Sequence, residues 1–186
     1  MGEIDWSPVV ESLAKANWTA IVVALVSGVV AIKAPLLLWK RQSERESASV
    51  KAALFAEVSA LVEIVERRGF IDALRERQAT LASRQASAQR TSDVAPEFYE
   101  VLIDSQFNRV YQANLTRFGV LTVEEAGQLV RFHQFADSVR LDVIPGGGLA
   151  VGTNNPDLFQ EAADLLQTAM EIGYSLTAAN AGASRK

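Results

Sequence analysis

The chain has no cysteine and a single histidine among its 186 residues. The first absence excludes disulfides, thiolate metal sites and a cysteine nucleophile. The second leaves His133 alone, so neither a multi-histidine metal site nor a Ser-His-Asp hydrolase has the residues it needs. Lysine is missing between Lys51 and Lys186. The one glycine-rich stretch, Gly146, Gly147 and Gly148 followed by Gly152, therefore lacks the lysine of a phosphate-binding loop. Strand-type alternation is scarce and no internal repeat stands out. These gaps favour a helical protein with no catalytic set, cofactor or metal: a binding or interaction protein rather than an enzyme.

The charge has an uneven distribution behind the net value of −4. Residues 41–90 carry nine basic and seven acidic side chains, whereas residues 91–186 carry six basic and twelve acidic. An acidic distal half argues against nucleic acid as a partner. The mildly basic proximal half suits an anionic membrane surface.

The strongest positive signal is the run 18–39, WTAIVVALVSGVVAIKAPLLLW, whose one charge is Lys33. As a helix it measures about 33 Å, close to the ~30 Å hydrocarbon core of a bilayer. Trp18 and Trp39 stand at its ends, where indole rings favour the membrane interface. Lys33 lies near one end, within snorkelling reach of the headgroups, and Pro35 is expected to kink the helix. Residues 1–17 contain Lys15 against Glu3, Asp5 and Glu11, while Lys40, Arg41, Arg45 and Lys51 follow the run. The positive-inside rule places the N-terminus outside and the C-terminal domain in the cytoplasm. An acidic leader and the absence of a small-residue cleavage site argue against a signal peptide. In this reading 1–17 is a short extracytoplasmic amphipathic leader. Residues 18–39 are a single transmembrane helix with Trp18, Trp39, Lys40 and Arg41 at the interface. Ala20, Ala24 and Gly28 recur every four residues, a spacing that favours close helix association and a homo-oligomer.

Beyond the anchor, 40–177 reads as an all-α cytoplasmic bundle of four to six helices. Leu54, Val58, Leu61 and Val65 step at seam spacing, the mark of a buried face or a short coiled coil. Gly69 ends that helix, and Phe70, Ile71, Leu74 and Leu81 begin another amphipathic run. The stretch 82–97, poor in large apolar side chains, reads as a mobile connector or a frayed helix end, closed by Ala95 and Pro96. Residues 98–119 are expected to be helical, with Phe107, Val110, Tyr111, Asn114, Leu115 and Phe118 on one face and Gly119 as the stop. Thr122 and Glu125 match a capping box that opens the next helix. A glycine-rich loop, 145–155, follows; Gly146, Gly147 and Gly148 are candidates for a gate, or for the turn of a small hairpin between 141–144 and 149–151. Asn155 or Asn154, then Pro156, fit the start of a last helix, and 178–186 reads as a disordered tail. His133 is expected to be a buried structural side chain.

Two functions fit these residues. One is a single-pass membrane-anchored adaptor or effector, acting through self-association and contact with a protein partner. The other is a membrane-tethered sensor that binds a small ligand in its helical domain.

Overall fold

The computed structural model describes the backbone of residues 18–88 and 94–183, with side chains over 38–88 and 94–178. Among these residues the protein is all-helical, with five α-helices and one 3-10 helix. The chain divides into two compact units, Met1–Glu46 and Ser47–Lys186. Helix α1, Trp18–Arg68, begins in the first and ends in the second. Within the first unit the side chains of Leu38 and Trp39 are exposed, and Lys40 pairs with Glu44 at 3.9 Å. No helix among the described residues is long and apolar enough to cross a membrane. The side chains of the expected span up to Leu37 lie outside the described residues, as do the leader 1–17 and the positions Trp18, Ala20, Ala24 and Gly28.

The second unit starts with the seam of α1, rotated from the one predicted. Leu54 and Val58 are buried as expected, together with Val50, Phe55 and Val62, whereas Leu61 and Val65 are half-buried, and Glu63, Arg67 and Arg68 face water. Each fully buried aliphatic side chain contributes about 1.5–3 kcal/mol relative to exposure, so this stripe fixes the helix against its neighbours. Gly69 then turns the chain at φ 61°, a left-handed conformation that costs a glycine little. Helix α2, Phe70–Ser87, follows at once and buries Leu74 and Leu81.

The region 98–119 departs from the sequence expectation. It holds no long helix. Residues 98–104 are extended, α3 spans only Arg109–Ala113, and a 3-10 helix covers Leu115–Val120 with Gly119 inside it. The cause is long-range hydrogen bonding. The N–H of Tyr99 donates to the Leu149 carbonyl (2.9 Å) and that of Val101 to the Val143 carbonyl (2.8 Å). Each donor so engaged is lost to a helical i→i−4 bond. Just upstream, Glu97 and Thr153 form an antiparallel bridge through reciprocal bonds of 2.8 and 3.0 Å. Part of the stretch read as a connector is therefore ordered: α2 runs to Ser87, Val94 is buried, and Glu97 pairs with Arg84 at 2.9 Å. No hairpin forms between 141–144 and 149–151, because Leu141 to Val143 complete a helix.

Helix α4, Val123–Val143, opens on the predicted capping box. Thr122 Oγ1 accepts from the Glu125 N–H at 3.2 Å, and Glu125 Oε2 accepts from the Thr122 N–H at 3.0 Å. Helix α5, Pro156–Ala183, is capped by Asn155, whose Oδ1 accepts from the Asp157 N–H at 3.1 Å. It continues into the stretch read as a tail. Two core clusters result. One joins the α1 seam to Tyr111, Leu129, Phe132, Met170 and Leu176. The other joins Leu74 and Leu81 to Tyr99, Val139, Phe159 and Leu166. Helices α4 and α5 contribute to both.

Candidate functional site: an apolar cavity between the two cores

Between these clusters lies a cavity of about 250 Å³. Helix α1 lines it with Leu61, Ile64 and Val65, α2 with Phe70 and Leu74, α4 with Phe132, Ala136 and Val139, and α5 with Leu166, Ala169 and Met170. The extended segment covers it. Along 99–104 the side chains alternate: Tyr99, Val101 and Ile103 are covered, whereas Glu100, Leu102 and Asp104 are exposed. Period-two alternation is what an extended backbone imposes. The hydrogen bonds that hold this cover stop at Val101. Leu102, 80 % exposed, and Ile103 follow without one among the described residues, before Asp104 forms a turn by accepting from the Gln106 N–H at 2.8 Å.

Three charged residues belong to the cavity wall, namely Arg68, Asp104 and Arg140. Arg140 Nε bonds Asp137 at 2.8 Å, and its guanidinium lies 5.6 Å from the Phe107 ring centre. The Asp104 carboxylate serves its own turn. Arg68 is exposed, and among the described residues it has no ion pair. The wall is thus predominantly apolar with one uncommitted cation, a composition suited to a small apolar body.

A second constellation lies in the first core. Glu57 on α1 accepts from the N–H groups of Val110 (2.7 Å) and Tyr111 (2.8 Å), satisfying two donors at the start of α3. His133, 2 % exposed, stacks against Tyr111 with ring centres 4.0 Å apart. Its Nε2 is 3.9 Å from Glu57 Oε2, too far for a hydrogen bond, and neither ring nitrogen has a partner among the described residues. Burial pushes the imidazole down to about 4, and the Asp137 carboxylate recovers only part of that shift. His133 is therefore neutral at pH 7. Among the described residues no group of His, Asp or Glu side chains could hold a metal ion.

The residues singled out by sequence take other positions. Trp39, Lys40 and Arg41 are exposed on α1, outside the cavity. Gly146, Gly147 and Gly148 do not line it either. They form a hydrogen-bonded turn, in which the Gly147 N–H donates to the Ile144 carbonyl (2.8 Å) and the Leu149 N–H to that of Asp142 (2.9 Å). A Cβ at Gly147 would collide with the backbone oxygens of Leu141 and Asp142, so the turn requires glycine there. Burial and the nearby Glu161 carboxylate hold Asp142 above the usual carboxylate range. The cavity-lining set escaped sequence reasoning, although the inward alternation of Tyr99, Val101 and Ile103 is present in the sequence. No family model matches this chain, and no curated protein or solved structure matches it either.

Proposed function

We propose that this chain is a membrane-tethered sensor or binding module, in which residues 18–39 form a single transmembrane anchor and the unit Ser47–Lys186 takes a small apolar ligand. The cavity carries this reading. Its volume exceeds the ~150 Å³ of an apolar cavity known to admit benzene, and lies just below the ~300 Å³ where drug-sized sites begin. The ligand class is accordingly small and largely hydrocarbon. The anchor rests on the length, apolarity and tryptophan ends of the 18–39 run, and the basic residues after it favour a cytoplasmic side for the domain.

The test uses the full chain in nanodiscs of zwitterionic lipid, titrated with decanol. Saturable methyl NMR shifts at Leu74 and Val139, abolished by Ala136→Leu, are the expected result. Absence of any shift in a folded sample refutes ligand binding. Recovery of the detergent-free full chain in an ultracentrifugation supernatant refutes the anchor.

A second reading, an adaptor acting through protein contacts and self-association, draws on the exposed apolar side chains of Phe98, Leu102 and Val151. The Phe98 ring lies over Gly152. Such a patch on a small domain suits a partner surface.

A further inference from the structure

We propose that the cavity accepts a single-chain amphiphile with one anionic group, its hydrocarbon inside and its headgroup against Arg68. This rests on the ligand-binding reading above and specifies the ligand's charge.

The argument starts from which charges are already committed. Asp104 is occupied by the N–H of Gln106 and the hydroxyl of Ser105, at 2.8 and 3.4 Å. Arg140 is occupied by Asp137 and by the Phe107 ring. Arg68 belongs to the same wall, is exposed, and has no counter-ion among the described residues. A guanidinium offers five donors in a fork that fits a carboxylate or phosphate. Arg68 is the last residue of α1, where the helix end carries about half a negative charge; the full positive charge of its side chain exceeds that. Asp104 keeps its negative charge, because both its donors are neutral, so the attraction is local: an anion seated on the Arg68 fork itself gains from it, and a cation at the same place is repelled.

The hydrocarbon part follows from the wall. Leu61, Val65, Leu74, Val139, Leu166 and Met170 offer no hydrogen-bonding group to a polar body. About 250 Å³ holds one medium-length chain, not the paired tails of a phospholipid. Entry lies beside Leu102 and Ile103, the part of the cover without backbone hydrogen bonds among the described residues.

The probes are decanoate, decanol and decylammonium, titrated into the full chain in phosphatidylcholine nanodiscs and read at the Leu74 and Val139 methyls. Decanoate is expected to bind more tightly than decanol, and decylammonium least well. Arg68→Gln should weaken decanoate about fivefold, the upper end for an exposed ion pair, and leave decanol unchanged. Arg68→Glu should invert the order of decanoate and decylammonium. Because Arg68 is exposed, both variants are expected to fold. Discs containing phosphatidylglycerol separate the sources: an Arg68-dependent shift without added probe identifies one chain of a bilayer lipid as the ligand, and a shift only with decanoate identifies a free amphiphile. Equal binding of decanol and decanoate, indifferent to Arg68, overturns the headgroup assignment and leaves the ligand-binding cavity standing. No binding of any probe overturns both.

Discussion

Glu57 and His133 are neighbours in the core without being partners. Their nearest polar atoms are 3.9 Å apart, and both Glu57 oxygens are already engaged by the N–H groups of Val110 and Tyr111. The carboxylate organises the backbone, and the imidazole packs as an aromatic plate on Tyr111. The pair ties α1, α3 and α4 together without presenting a reactive group.

Acid should destabilise the domain through His133. Its folded pKa, about 4, lies below the unfolded value near 6.5. As pH falls, the unfolded chain takes up the proton first. Stability is therefore full above ~6.5, declines as pH drops toward 4, and is constant below that as far as this group is concerned. The largest loss is about 3 kcal/mol at ~1.36 kcal/mol per unit. Urea midpoints measured from pH 7.5 to 4 should show the decline, and His133→Phe should remove most of it.

Glu57→Ala should expose two orphaned amides. Unsatisfied donors cost about 1–3 kcal/mol each when buried, and these are only partly buried, so a total near 2 kcal/mol is expected. Hydrogen exchange at Val110 and Tyr111 should accelerate more than exchange within α5. Uniform acceleration across both helices would contradict a local role.

Glu125 serves two neighbours, the capping box and Lys51 Nζ at 2.6 Å. Burial raises its pKa, but the hydrogen bonds from Lys51 and Thr122 outweigh burial and hold the carboxyl below its ordinary value. Thr122→Ala should cost about 1 kcal/mol. Glu125→Ala keeps the bond from the backbone N–H to Thr122 Oγ1 but should still cost more, since it frees the Thr122 N–H and takes the carboxylate from Lys51. Equal chemical-denaturation midpoints for the two variants would count against a structural role for the Lys51 contact.

Leu74→Ala should both destabilise the domain and enlarge the cavity. Leu74 is fully buried and lines the wall, and such truncations cost about 2–5 kcal/mol. Added decanol should restore part of the lost thermal stability. A larger cavity with no gain from the probe would argue that the space is closed to ligand.

Two glycines separate backbone strain from crowding. Gly69 is left-handed with open space around it, so Gly69→Ala should cost about 1 kcal/mol. Gly147→Ala drives a methyl into two backbone carbonyls and should cost about 1–3 kcal/mol or more, as overpacking does. Thermal melts of the two variants should rank in that order.

Much of the helical framework was legible because its signals are local. The capping box at Thr122 and Glu125 and the cap at Asn155 lie within one turn of the helices they open. The Val50-to-Val62 seam follows helical spacing, and Gly69 breaks the helix at the residue expected. The cover of the cavity was not legible. Phe98 and Leu102 are apolar yet exposed, which hides the alternation of Tyr99, Val101 and Ile103. Their neighbours Val110 and Tyr111 suggested a continuous helix. Nothing local marks the role of Glu57, because the amides that donate to it lie more than fifty positions away.

By itself, the sequence determined most of the helical segments outside 98–119 and where most of them start, since hydrophobic period and capping act over a few residues. Only the tertiary structure decided that 98–104 is extended and that an apolar cavity lies beneath it. Those outcomes depend on carbonyls of Val143 and Leu149, more than forty residues along the chain, claiming donors that a local helix would otherwise have used.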